Sequence, residues 1–208
     1  MSTECSQTLY ANQIEKENAV IVVLSGRAGV GKTTLAKLFI RRNESARILT
    51  SITTRPPRKT DFLGEYEYIH VPPFMRRRMS RHFLWTIEYP KYSGVYYGTE
   101  ETRVTNALSS SDIYIMILVP DIVHLLVDYA EEKDRSNLIY CFYLSASEAT
   151  LRKRLRERGE KNENIETLLA ATSDWDEKIR TCSSTPYRII VNEGSIEATL
   201  EEILSSLS

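Results

Sequence analysis

The sequence predicts an α/β fold built on a doubly wound parallel sheet, and three observations carry that prediction. Ala19-Val20-Ile21-Val22-Val23-Leu24, Ile113-Tyr114-Ile115-Met116-Ile117-Leu118 and Leu138-Ile139-Tyr140-Cys141-Phe142-Tyr143-Leu144 are apolar along nearly their whole length, as strands covered on both faces must be. Between such runs lie stretches of helical period, for instance Thr34 to Ile40, with Leu35, Leu38 and Phe39 on one face. Third, Gly26-Arg27-Ala28-Gly29-Val30-Gly31-Lys32-Thr33 follows the first run directly and opens the first helix. A glycine, four residues and Gly-Lys-Thr between strand and helix is the pattern of a phosphate-binding loop, so the sheet is expected to be of the P-loop NTPase type.

The chemistry of that loop points to a nucleoside triphosphate. Its glycines allow backbone N–H groups to turn inward around a polyphosphate, and the helix N-terminus adds its positive end. Gly26 through Thr34 are therefore expected to bind ATP, Lys32 to reach the β- and γ-phosphates, and the Thr33 hydroxyl to bind Mg²⁺.

Bulk properties limit the remaining options. The 208 residues suit one domain, and a net charge of -1 makes no global electrostatic case for nucleic acid or an anionic membrane. Cys5, Cys141 and Cys182 are odd in number and far apart, which suggests a reducing compartment rather than a disulfide framework or metal site. No apolar run reaches membrane-spanning length, and Met1 to Asn18 lacks the apolar core of a signal peptide. The expectation is a cytoplasmic protein, monomer or homodimer, with a flexible tail over 1–18, anchored if at all by Tyr10 and Ile14, and a domain over 19–208.

In chain order, Ala46 to Arg55 reads as the second strand and runs into Pro56-Pro57-Arg58, where the prolines forbid helix. Arg55 and Arg58 are then fixed on a stiff segment suited to gripping a phosphate. Pro72 to His82 contains Arg76, Arg77, Arg78 and Arg81, read as the solvated face of a short helix because no aromatic interleaving for base stacking accompanies them. Ile122 to Ala130 reads as a helix with Val123, Leu126 and Val127 inward. Ser145-Ala146-Ser147-Glu148 reads as a capping box for the next helix, with Leu151 and Leu155 buried and Gly159 ending it. A helix through Ala170 to Ile179, a strand from Pro186 to Asn192, and a helix capped by Ser195 with Ile196, Leu200, Ile203 and Leu207 on one face close the chain.

Ser51-Ile52-Thr53-Thr54-Arg55-Pro56-Pro57-Arg58, about twenty residues after a phosphate loop, resembles the acceptor-binding start of guanylate kinases. The resemblance continues through Gly64-Glu65-Tyr66 and through Thr86-Ile87-Glu88 to Tyr97-Gly98-Thr99, and covers nearly the whole chain after residue 19. It implies that Ser51 and Glu88 read the guanine edge with help from Thr99, and that Arg55, Arg58, Tyr66 and Tyr97 hold the acceptor phosphate. Such a carboxylate discriminates strongly, because the wrong base leaves a charge unpaired. It also implies a small, mainly β acceptor lobe over about 51–99 and a helical lid over about 145–170. In that lid Arg154 and Arg158 would neutralise the moving phosphoryl group, and Asn192 would contact adenine.

Three positions, two on the central strand and one in the lid, depart from the family pattern. Ile117 and Val119 stand where the family carries aspartates, with Asp121 just beyond, and Leu168 stands where a further lid arginine belongs. The expected activity is MgATP-dependent phosphorylation of a nucleoside monophosphate, GMP or dGMP, with Lys32, Arg55, Arg154 and Arg158 as the catalytic set. One alternative is a kinase of the same frame for another phosphorylated acceptor such as ribose 1,5-bisphosphate. The other is a non-catalytic binding module, against which the intact phosphate loop speaks.

Overall fold

A computed structural model describes residues 19–58, 61–181 and 184–207. The tail expected over 1–18, with Tyr10 and Ile14, lies outside the described residues. Five parallel strands form the main sheet in the order β2-β7-β1-β8-β9: β1 (Val20–Gly26), β2 (Ala46–Ile48), β7 (Ile113–Ile117), β8 (Ile139–Ser145) and β9 (Arg188–Val191). Alternate residues of β1 feed opposite cores, as the two-residue period of a strand requires. Val20, Val22 and Leu24 pack with α1 (Lys32–Arg42), α5 (Glu148–Glu157), α6 (Asn162–Ala170) and α8 (Ile196–Leu204) through Leu35, Phe39, Leu151, Leu155, Leu169 and Leu200. Ile21 and Val23 pack with α3 (Glu101–Leu108) and α4 (Pro120–Glu132) through Val104, Val123 and Leu126. Helices thus cover both faces.

A second, four-stranded sheet of order β4-β3-β6-β5 comprises β3 (Ser51–Thr53), β4 (Tyr66–Tyr68), β5 (Phe83–Glu88) and β6 (Tyr96–Glu100), with α2 (Val71–Met79) against it through buried Phe74. In α2, Arg76 and Arg78 are exposed, while Arg77 pairs with Glu67 and Glu100. Among the described residues, no helix is long and apolar enough to cross a membrane.

Three sequence readings need correction. The strand expected over Ala46 to Arg55 is two strands on different sheets. The Leu49 N–H still bonds Ile115 of the main sheet, whereas the Ser51 N–H bonds Glu65 of the small one. The cap of α5 is Ser147 rather than Ser145: Ser147 Oγ accepts from the Thr150 N–H, and the Glu193 carboxylate accepts from the Ser147 N–H in the place of a box glutamate. The helix expected over Ala170 to Ile179 is interrupted by turns at 171–174 and resumes as α7 (Trp175–Thr181). Thr172 sits at that break with its hydroxyl on the Leu168 carbonyl, where it accepts from Arg27. Gly159 ends α5 at a φ of +85° and Ser195 caps α8 through the Ala198 N–H, as the sequence indicates.

Candidate active site

The phosphate-loop motif lies at the carboxyl end of β1, where open parallel sheets place their ligand crevices. Gly26, Gly29 and Gly31 have φ values of +138°, +81° and +105°, and the backbone is tightly surrounded: a Cβ on Gly26 would lie 2.3 Å from the Leu144 carbonyl oxygen. Only glycine supplies that course without strain. Gly31 is the N-cap of α1, no side chain caps it, and the first turn carries no acidic residue. The helix therefore presents open N–H groups and its positive end to an anion. Lys32 Nζ donates to the Gly26 carbonyl at 2.7 Å and the Arg27 carbonyl at 3.0 Å. Burial, and then the neighbouring Arg158, push its pKa down to about 8, against an upward pull from Glu65.

Two polar side chains fasten the loop from behind. Arg27, 6 % exposed, donates to the Thr172 hydroxyl and the Leu169 carbonyl and faces Asp176 at 3.6 Å. Asn192, just past β9 and 1 % exposed, donates from Nδ2 to the Val30 carbonyl at 2.7 Å and accepts from the Thr199 hydroxyl at 2.9 Å. The side chains of Arg27 and Val30 thus face away from the loop's concave side, whereas Gly26, Ala28, Gly29, Gly31, Lys32, Thr33 and Thr34 line a cleft of about 760 Å³.

The far wall of that cleft belongs to the small sheet. Ser51, Arg55, Arg58, Tyr66, Tyr97 and Thr99 all line it. Ser51 and Thr99, on β3 and β6, share a hydroxyl hydrogen bond of 3.0 Å. Arg55 stacks over the Tyr66 ring, its guanidinium carbon 5.1 Å from the centroid, and Tyr66 meets Tyr97 edge to face at 5.9 Å. Arg154 and Arg158 enter from α5 and its C-cap: Arg154 Nη1 lies 3.4 Å from the Val30 carbonyl, and Arg158 pairs with Glu160. Asn192 lines the cleft as well as clamping the loop.

One expected member stands apart. Glu88 is at the end of β5, where its carboxylate accepts from the Gly94 N–H at 2.7 Å in the β5–β6 hairpin, and it does not line the cleft. The hairpin's own backbone donor holds it there. Asp121, in the first turn of α4, is exposed and likewise outside the lining, so Ile117, Val119 and Ile122 leave that wall apolar.

The structure adds residues that sequence reasoning passed over. Trp85, Tyr89 and Trp175 give the cleft an aromatic side with aliphatic Ile87 among them, and Asp61 and Glu65 add carboxylates. Asp61 takes Arg55 in a two-pronged ion pair, 2.9 Å to each of Nη1 and Nη2. Burial alone would raise the Asp61 carboxyl, but hydrogen bonds from Arg55, the Arg58 N–H and the Tyr68 hydroxyl hold it below the ordinary range. Its position three residues after Arg58 in a proline-led turn was the available signal. Trp175 offered none, being brought in from far along the chain.

The donor set fits a triphosphate carried with its own cation. Among the described residues no group of three or more His, Cys, Asp or Glu could hold a metal ion. The Thr33 hydroxyl offers one oxygen at the loop, so an Mg²⁺ held there would draw its other ligands from phosphate and water, as that ion commonly does.

A family model described as guanylate kinase matches residues 18–208. The chain is similar to the guanylate kinase of Thermosynechococcus vestitus, 28 % identical over 169 residues that span 76 % of this chain and 84 % of that one. It is similar to the guanylate kinase of Clostridium tetani at 28 % over 194 residues, 92 % of this chain and 86 % of that one. A solved guanylate kinase from Anaplasma phagocytophilum shares the fold with a TM-score of 0.64 at 21 % identity, covering 94 % of this chain and 87 % of that one.

Proposed function

The chain belongs to the guanylate kinase family, and from that premise we propose that it transfers the terminal phosphoryl group of MgATP to GMP, and to dGMP beside it. The observation that carries the reading is a single cleft with the phosphate loop at one end and the Arg55, Arg58, Tyr66 and Tyr97 cluster at the other. In-line transfer needs donor and acceptor phosphates held facing each other, and positioning with charge neutralisation supplies most of the catalysis.

In this reading the loop N–H groups and Lys32 hold the donor phosphates, and Thr33 offers its hydroxyl to Mg²⁺. That ion's contribution is neutralisation of phosphate charge. Arg55, Arg58 and the two tyrosines fix the acceptor phosphate, while Arg154 and Arg158 neutralise charge on the group in transit. No general base is needed, because the acceptor oxygen is already ionised. Ser51 and Thr99 face the base. Glu88, bound to Gly94, takes no part in this conformation, and Asn192 acts by clamping the loop. The segment 51–99 serves as acceptor lobe and 145–170 as lid, in a cytoplasmic enzyme.

The test is a coupled ADP-release assay with MgATP against GMP, dGMP, AMP, UMP, CMP and ribose 1,5-bisphosphate. Turnover confined to GMP and dGMP is the expected result. The apolar wall of Ile117, Val119 and Ile122 favours a second reading, an acceptor without a guanine base. Turnover of ribose 1,5-bisphosphate with none of GMP would establish that reading and overturn the first.

A further inference from the structure

We propose that Asp61 is a positioning residue for the acceptor phosphate, acting by locking the guanidinium of Arg55. The inference rests on the reading of Arg55 as a phosphate ligand. Arginine has five N–H donors in a rigid plane. Asp61 takes one from each of Nη1 and Nη2, at 2.9 Å, and the Pro56 carbonyl takes another from Nη1, also at 2.9 Å. The end of the fork is therefore turned into the protein, with the Tyr97 hydroxyl also against the guanidinium, and an oxyanion would meet it on the side away from Asp61.

Asp61 is itself over-determined. Its Oδ2 also accepts from the Arg58 N–H at 2.6 Å and the Tyr68 hydroxyl at 2.7 Å, and its own N–H bonds the Arg58 carbonyl at 3.0 Å. One carboxylate thus joins both phosphate-facing arginines and β4. Tyr66 and Tyr68 close the stack, with the Arg55 guanidinium carbon 5.1 Å and 5.9 Å from their rings. Arg55 is 7 % exposed, so a guanidinium released from Asp61 would lie unpaired in a buried site and turn toward other acceptors. The arrangement sets a direction as well as a charge: a lone carboxylate beside a phosphate site repels the ligand, and only its service to Arg55 offsets that repulsion.

The test compares wild type, Asp61→Asn, Asp61→Glu, Arg55→Lys and the Asp61→Asn/Arg55→Lys double variant. Two readouts are used: steady-state kinetics with GMP, and titration calorimetry with inorganic phosphate. Asparagine keeps the size of the side chain but turns one acceptor into a donor facing a guanidinium N–H. We expect Asp61→Asn to raise the KM for GMP and the Kd for phosphate by about tenfold or more, with the KM for ATP unchanged. Asp61→Glu should recover part of the loss. In the Arg55→Lys background the Asp61→Asn effect should fall below about twofold, because the fork it serves is gone. Unchanged GMP and phosphate affinity in Asp61→Asn, an equal rise in the KM for ATP, additive losses in the double variant, or no phosphate binding by wild type would each overturn the proposal. Absence of GMP turnover by wild type would overturn the kinase reading alone, with the phosphate titration still judging Asp61.

Discussion

Replacing Asn192 with alanine separates a loop clamp from a base contact. Asn192 Nδ2 lies 2.7 Å from the Val30 carbonyl, and the residue is 1 % exposed. Without it, that carbonyl in the middle of the phosphate loop keeps, among the described residues, Arg154 Nη1 at 3.4 Å. A buried acceptor left that poorly satisfied costs about 1–3 kcal/mol. The Thr199 hydroxyl also loses its acceptor but can still donate to the Ser195 carbonyl at 3.4 Å, so its share is smaller. With the packing of the lost amide added, the total is roughly 2–4 kcal/mol, a large part of the ~5–15 kcal/mol typical of a domain. Urea denaturation should show this loss as a lower midpoint at an unchanged slope. Thr199→Val should cost roughly 1 kcal/mol, and the two changes should fall short of additivity, since they share one bond. A stability change within about 0.5 kcal/mol, together with a tenfold rise in the KM for ATP, would refute the reasoning and make Asn192 a nucleotide contact.

Further outcomes follow from the same geometry. The Lys32 ammonium, at about 8 in the folded protein against 10.5 ordinarily, binds fewer protons when folded than when unfolded between those values, so stability should rise as pH climbs through that window. Lys32→Met should therefore stabilise the empty protein at pH 7, by at most roughly 3 kcal/mol, while abolishing transfer. Denaturation at pH 7 and 9.5 checks this, and a gap between the two proteins that failed to shrink at the higher pH would count against it. Gly26→Ala places a Cβ 2.3 Å from the Leu144 carbonyl oxygen at a φ of +138°, and should cost more than about 3 kcal/mol or prevent folding; a thermal melt near that of wild type would contradict the loop geometry. Ser51→Ala and Thr99→Val should each raise the KM for GMP about tenfold, against less than about threefold for Glu88→Gln, and the reverse order would mean that Glu88 leaves Gly94 to read the base.

Features written in consecutive residues were legible. The phosphate loop, the Gly159 stop and the Ser195 cap depend on backbone angles and neighbours a few positions away, and each is found where the sequence places it. The resemblance likewise located Ser51, Arg55, Arg58, Tyr66, Tyr97 and Thr99, all of which the fold brings to one cleft. Features decided by choice of partner were not legible. Ala46 to Arg55 carries an unbroken strand pattern, and the exchange of Ile115 for Glu65 as partner around Thr50 leaves no local mark. Glu88 keeps the family spacing to Tyr97, yet a hairpin N–H at Gly94 competes for its carboxylate. The break between α6 and α7 coincides with Thr172 being held by Arg27, a contact 145 positions away.

The same exchange of partners creates the cleft. The chain leaves the main sheet after Leu49, builds the small sheet, and returns through β6 into α3, so Ser51, Tyr66, Tyr97 and Thr99 sit on one sheet while the phosphate loop follows β1 of the other. Arg103 on α3 meets both crossings: it donates to the Thr50 carbonyl at 3.2 Å, to Glu100 at 2.9 Å, and to Glu67 of the small sheet. Its side chain is 27 % exposed, and ion pairs at that exposure contribute little, about 0–1 kcal/mol. Arg27 makes the opposite kind of tie, buried at 6 % and joining the loop to α6 and to the turn at Thr172. The loop is thus held by buried bonds whose loss is costly, while the small sheet is anchored in the core by Trp85 of β5, 4 % exposed beside Val104, Leu118 and Val123, with the Arg103 contacts at its rim.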